Sequence, residues 1–288
     1  MAIENIIEEA LSRSSPTNRR GLLKKVAAAG AALGAARLPL NAQGPSASDV
    51  VQFALNLEYL EAEFYSVATS GQTLQQRGVP ITGSGNSGPT TTSFGQVNFG
   101  NNLVLTSGSA RDVSDDEIAH VMTLRGALTA NGITPIAKPA IDLDALASMG
   151  ASLANQQTFL VLARAFEDIG VSAYSGGANL LSGSPYLMTA ARILAVEGQH
   201  TGNIRLEIAR LGIPTFPLDG ADVIPPPSGS NFYSTNKANG LCAFRTPGQV
   251  LYLAYGLKAN VTSGGFFPNG VNGVLNMSSG PATAANLS

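Results

Sequence analysis

The chain of 288 residues has one cysteine, two histidines and no tryptophan. A lone Cys242 excludes an intrachain disulfide framework and a thiolate zinc site. With only His120 and His200, any mechanism built on a cluster of histidines is excluded as well. Charged residues are 12% of the chain, about half the usual share. A formal net charge of -2 argues against nucleic acid, which calls for a basic surface. No run after the N-terminus approaches transmembrane length without glycine or charge, so no span is expected in the mature chain. Apolar residues, at 44%, are enough for a sizeable core, and the 32 glycines are unevenly spread.

Near the N-terminus, Asn18-Arg19-Arg20-Gly21-Leu22-Leu23-Lys24 precedes an alanine-rich stretch from Val26 to about Ala36. A paired arginine, an apolar pair, a lysine and a short apolar region resemble a twin-arginine export signal. The stretch is too short for a bilayer, which needs about twenty residues. Residues 1–42 are thus expected to be a signal and linker, with the mature protein periplasmic or otherwise extracytoplasmic. The alternative is a basic, alanine-rich surface helix. Beyond residue 40 there are 11 basic and 16 acidic residues, a mildly acidic balance.

Residues 43–212 carry four helical patterns. The first runs from about Ser46 to Ala68, with Ser48 or Asp49 as cap, and stops near Ser70-Gly71. Residues 71–112 are dominated by Gly, Ser, Thr, Asn and Gln and read as a surface insertion, with a short hairpin around Phe94–Phe99 and Leu103–Leu105. A second helix spans about Val113 to Ala130 before the stop signal Asn131-Gly132. A third lies within about 142–180, with Gly150 as an early break. Ser184, Pro185 and Gly212 mark the ends of the fourth. Four helices of similar length suggest an all-α bundle. Residues 213–288 form a Pro/Gly/Asn-rich extension with one short helix, capped by Thr246 with Pro247 following and stopped by Gly256.

Both histidines have a glutamate three residues earlier, Glu117 before His120 and Glu197 before His200. Residues three apart share a helix face, so each pair presents a carboxylate and an imidazole together. On the other two helices, Glu58 is followed after seven residues by Tyr65, and Glu167 by Tyr174. Seven residues are two turns, again one face. The chain therefore reads as a repeated half, a Glu/Tyr helix followed by a Glu-x-x-His helix. Seven glutamates follow residue 40, and four of them fall on this template. Four buried carboxylates would be costly alone but would balance two divalent cations with neutral histidines. Carboxylate with imidazole suits iron or manganese; zinc can substitute without redox work.

Competing assignments exist within the same residues. Glu61 shares a face with Glu58, and Glu63 is close; only Glu58 reproduces the Glu-to-Tyr spacing of the second half. Ser114 and Glu117 have capping-box spacing. Asp116 and Asp168 adjoin presumed ligands and are expected to face solvent or to support them. Tyr65 and Tyr174 are expected beside the ligands as hydrogen-bond donors or electron sources, or else as plain core aromatics. Phe266-Phe267 would cover an open end of the bundle or contact a second subunit.

The segments Ala54-Leu-Asn-Leu-Glu-Tyr-Leu-Glu-Ala-Glu-Phe-Tyr65, Glu117–His120, Phe166-Glu-Asp-Ile-Gly-Val-Ser-Ala-Tyr174 and Glu197–His200 resemble the ferritin-like proteins. Arg245-Thr-Pro-Gly-Gln-Val-Leu251 and Gly265-Phe-Phe-Pro-Asn-Gly-Val-Asn-Gly273 narrow the resemblance to an exported bacterial branch related to plant desiccation-related proteins. The resemblance implies a ferritin-like four-helix bundle. Its two iron or manganese ions would be held by Glu58, Glu117, His120, Glu167, Glu197 and His200, with Glu117 and Glu197 bridging. The function expected is reaction with oxygen or peroxide in stress protection. The alternative is a structural desiccation- or stress-protective protein whose metal site only stabilises. A homo-oligomer is compatible with either; a closed storage shell fits the insertion and extension poorly.

Overall fold

The computed structural model describes residues 44–102 and 104–288; the export-signal expectation lies outside them. The described chain is mostly helical: α1 Ala47–Ser70, α2 Ala110–Ala130, α3 Gln156–Gly177, α4 Leu187–Leu211 and α5 Pro247–Ala254. Two strands of two residues, β1 Thr90–Thr91 and β2 Ile141–Asp142, pair in parallel. Helix α1 packs chiefly on α2, and α3 on α4; α1 also meets α3, and α2 meets α4.

The helix ends follow local chemistry, with several shifts from expectation. Ser46, not Ser48 or Asp49, caps α1, and Asp49 returns a bond to the Ser46 backbone in a reciprocal capping box. Gly71 closes α1 at φ 71°, a left-handed position suited to glycine. Helix α2 starts at Ala110, so Ser114 lies one turn inside it and cannot be a cap; this removes the capping-box role from Glu117. Helix α3 begins at Gln156, where the Asn155 side chain accepts from the Gln157 and Thr158 N–H groups. Gly150 instead ends a single turn at Ala147–Met149. Helix α4 starts at Leu187, two residues beyond Pro185, and stops at Gly212 as expected. Thr246 caps α5 with Pro247 first inside it.

The four long helices differ in how much of their surface is buried. On α2 the buried positions form one stripe, including Val113, Glu117, His120, Val121, Leu124 and Leu128, with solvent on the other side. On α1 nearly every residue from Val50 to Thr69 is buried, polar ones included. The material covering α1 and α3 comes from the connecting segments. No hairpin forms among the described residues around 94–105. Instead Val97 and Phe99 enter the core, where the Phe99 ring meets Phe159. Residues 84–91 lie backbone against backbone on 135–142, joined at Ser84–Ile136 and by β1–β2. Glycine is required there: a Cβ on Gly88 would fall 2.5 Å from the Ala140 Cα.

Buried polar groups fasten the extension in a similar way. Asn56 of α1 donates to the Asn272 carbonyl and accepts from its N–H. Arg205 donates to the carbonyls of Val223, Asn231 and Phe232, and Arg245 donates to the Ser172 hydroxyl of α3. Phe266 is buried with its ring 5.0 Å from that of Phe166. It therefore packs against the middle of α3 in its own chain, not against an end of the helices as expected.

Candidate metal centre

Each half of the repeat contributes three ionisable side chains, and the fold brings all six together. Glu58 comes from α1, Glu117 and His120 from α2, Glu167 from α3, and Glu197 and His200 from α4. The carboxylates are at most 1% exposed, and the histidines 7% and 5%. The histidine ring centroids are 6.2 Å apart. His120 Nδ1 lies 3.3 Å from Glu58, 3.3 Å from Glu117 and 3.5 Å from Glu197. His200 Nδ1 lies 3.0 Å from Glu117 and 3.3 Å from Glu167.

These contacts resolve into two ligand groups. One contains Glu58, Glu117, His120 and Glu197; the other contains Glu117, Glu167, Glu197 and His200. In each, one potential ligand atom per residue lies within 4.8 Å of all the others. Glu117 and Glu197 belong to both. The reason is helical spacing: each sits one turn before a histidine, on the face that α2 and α4 turn inward.

The tyrosines are placed by tertiary packing rather than by their own helix. Tyr65 donates to Glu167, and Tyr174 donates to Glu58. Two turns separate each tyrosine from the glutamate on its own helix by about 10 Å, beyond reach of the hydroxyl. An antiparallel α1–α3 pair exchanges the partners and gives each outer carboxylate a hydroxyl donor, buried at Tyr65 and half-buried at Tyr174.

Burial and mutual repulsion dominate the titration of the cluster. Burial, with the Glu117, Glu167 and Glu58 charges, holds Glu197 well above the usual carboxylate range. Burial also raises Glu117, to about 7, against the lowering effect of its hydrogen bonds to both histidines. Burial lowers the histidines, but Glu58 and Glu117 outweigh it and push His120 up to about 11. Hydrogen bonding to Glu117 and Glu167 likewise raises His200 to about 12. Tyr65 and Tyr174 are raised well above the phenol value, first by burial and then by the carboxylates they meet. Without a cation, protons supply the positive charge that the cluster needs.

The donor set fits a metal. Both Glu197 oxygens are buried without a hydrogen bond, and Glu58 Oε2, Glu117 Oε1 and Glu167 Oε2 have only a histidine Nδ1, at 3.3, 3.0 and 3.3 Å, to share among them. Unpaired buried carboxylate oxygens are expensive, and a cation satisfies them. Oxygen with imidazole nitrogen suits hard or borderline divalent metals.

The neighbouring acids take different roles. Asp116 reaches His200 Nε2 at 3.1 Å while its own side chain is 53% exposed, so it both supports the His200 ring and meets solvent. Asp168 is buried in a separate network, bonded to Thr201 and at 2.7 Å from Arg164 and Arg205. Glu63 accepts from the Leu74 N–H and lies 3.5 Å from the Lys138 ammonium. Glu61 is only 5% exposed and is held above the usual carboxylate range by burial and by the cluster glutamates, Glu197 first. Sequence reasoning did not single out Gly170, whose missing Cβ leaves room for the Glu197 carboxylate: a Cβ there would lie 2.3 Å from Glu197 Oε2. The repeat contained the signal, since Gly170 follows Glu167 by three residues as Glu61 follows Glu58.

Helices that converge paired glutamates and Glu-x-x-His elements on one buried cluster define a carboxylate–histidine helical protein able to hold metal. A family model for the ferritin-like domain matches residues 46–210, more than half of the chain, and the protein belongs to that family. No curated protein matches it.

Proposed function

We propose that the protein is an exported ferritin-like four-helix bundle that binds a dinuclear iron or manganese centre and reacts with oxygen or peroxide in stress protection. Glu58, Glu117, His120, Glu167, Glu197 and His200 would hold the two ions, zinc being a redox-inactive substitute. The observation that carries this reading is the pair of overlapping ligand groups sharing Glu117 and Glu197. Four carboxylates with neutral histidines would neutralise two divalent cations. The Gly/Ser-rich insertion and the C-terminal extension would be additions peculiar to the exported, desiccation-related branch.

Bound iron or manganese would supply reversible electron transfer to oxygen or peroxide. The chain's own residues perform the remaining tasks. Glu58 and Glu167 each accept from a tyrosine hydroxyl, which fixes the orientation of the outer carboxylates. Asp116 orients the His200 ring through Nε2 and so presents Nδ1 to the cluster. Burial keeps water from competing for the carboxylates.

Metal analysis tests the reading. Purified protein loaded with Fe(II) or Mn(II) is expected to retain two ions per chain and to lose them on Glu197→Ala. Less than one ion per chain, unchanged by that substitution, defeats the proposal. The buried Arg205 and Arg245 fastenings favour a second reading, a stress-protective scaffold that metal only staples. In that case ligand substitutions would lower thermal stability while the wild type consumed neither oxygen nor peroxide.

A further inference from the structure

Two cavities meet beside the centre. The first, of about 50 Å³, lies among α1, α3, α5 and residues 216–218. The second, of about 30 Å³, lies among α1, α2, α3 and the start of α4. Leu57, Glu61 and Gly170 line both. The first extends outward to Met149 and Leu257, which are 44% and 42% exposed.

The meeting point breaks the symmetry of the repeat. Positions 61 and 170 are equivalent, three residues after Glu58 and Glu167, yet one holds a carboxylate and the other has no side chain. A Cβ at residue 170 would fall 3.4 Å from Glu61 Oε1 as well as against Glu197. Glycine therefore opens the space into which Glu61 projects, one carboxylate away from a ligand shared by both groups. Glu61 makes no hydrogen bond or ion pair among the described residues. It is also the single side chain with a hydrogen-bonding group in the lining of the first cavity.

This lining selects the occupant. A buried water needs about 10–15 Å³ and two to four polar partners, and apolar cavities stay dry. The first cavity has the room but offers one carboxyl, which disfavours water and, by the same argument, peroxide. A small apolar molecule needs no partner. We propose that the two cavities form one chamber that admits and binds a dioxygen-sized apolar solute beside the Glu197 side of the centre, with Glu61 as its inner wall. The ligand class rests on the dimetal reading; the chamber itself does not.

Xenon is the probe. Crystals of the metal-free full chain under xenon pressure are expected to show xenon near Leu57 and Phe166, and more of it in Leu57→Ala, which widens the space. Ala165→Leu and Ala173→Leu, which fill the first and second cavities, should remove it. The same filled variants, loaded with Fe(II), should oxidise several-fold more slowly with dioxygen while retaining wild-type iron content and wild-type rates with peroxide. Absence of xenon from both the wild type and Leu57→Ala overturns the chamber. So do filled variants that oxidise with dioxygen at the wild-type rate. Iron bound without xenon overturns the chamber and leaves the centre; xenon bound without iron overturns the centre and leaves the chamber.

Discussion

The two halves of the cluster correspond residue for residue, and they diverge just outside it. Glu58 matches Glu167, Tyr65 matches Tyr174, Glu117 matches Glu197 and His120 matches His200. The tyrosines even exchange partners symmetrically. One to three residues away from these positions the correspondence fails. Asp116 supports His200, whereas the equivalent position before Glu197 is Val196. Glu61 faces Gly170. Asp168 joins a buried arginine network, whereas the equivalent Tyr59 accepts from Arg125 at 2.5 Å and donates to a carbonyl. On the dimetal reading, matching side chains would set what can be bound, and unlike surroundings would set how the two positions differ. His200 has a carboxylate that would raise its basicity as a ligand, and His120 has none on the matching residue.

The largest test of this comparison separates shared from unshared ligands. Glu117→Ala and Glu197→Ala are each expected to abolish binding at both positions. Glu58→Ala should weaken the His120 position and Glu167→Ala the His200 position, each leaving the other occupied. Titration with Mn(II), followed by spectroscopy that distinguishes paired from single ions, reads the outcome. Complete loss from Glu58→Ala alone would mean that the positions are not separable halves.

Asp116→Asn removes the outer support from His200 only. Such supports are worth roughly 10–100-fold in metal affinity. A loss of that size confined to one of two binding steps is expected by calorimetry. Equal loss in both steps would show that Asp116 acts through overall charge.

Proton linkage gives a further test. Glu117 has its pKa raised in the folded state from 4.5 to about 7, and the histidines from 6.5 to about 11 and about 12. A raised folded value means that the native state binds more protons than the unfolded chain. The stabilisation is therefore complete below the unfolded value and is lost as pH rises toward the folded one. Metal-free protein should lose thermal stability from about pH 5 to pH 8, first through the raised glutamates Glu117, Glu197 and Glu61. Divalent metal replaces those protons, so the rise in Tm on adding Mn(II) should grow over the same range. A metal-free Tm that stays level across it would contradict the assigned titrations.

The smallest effects should come from the tyrosines. Tyr65→Phe and Tyr174→Phe each remove one hydrogen bond to a buried carboxylate, at a cost of about 1.5–3 kcal/mol. Symmetric pairing predicts similar losses in denaturant unfolding. A much larger loss for Tyr65 than for Tyr174 would show that the two hydrogen bonds are not equivalent, the ring contacts of Tyr65 with Phe64 and Phe159 being kept by phenylalanine.

Much of this was legible in the sequence. Spacings of three and seven residues sorted Glu58, Glu117, Glu167 and Glu197 from the other glutamates, because a helix converts spacing into a shared face. Gly71, Gly212 and Thr246 marked helix ends through backbone conformation and a capping hydroxyl. The starts of α2 and α4 were less legible, since neither has a side-chain cap bond to mark it. Phe99 and Val97 read as part of a surface hairpin, yet they are core residues. Low overall hydrophobicity in a glycine-rich stretch conceals the few side chains that anchor it.

Local periodicity in the sequence determined which side chains each helix would present together, and so the composition of the cluster. Only the tertiary structure decided which helix would face which. It made Tyr65 the partner of Glu167 rather than of Glu58, set Glu61 against Gly170, and wrapped residues 71–102 and 213–288 over α1 and α3. The physical reason is range: face-sharing along a helix is fixed within two turns, whereas pairing between helices depends on how distant surfaces bury one another.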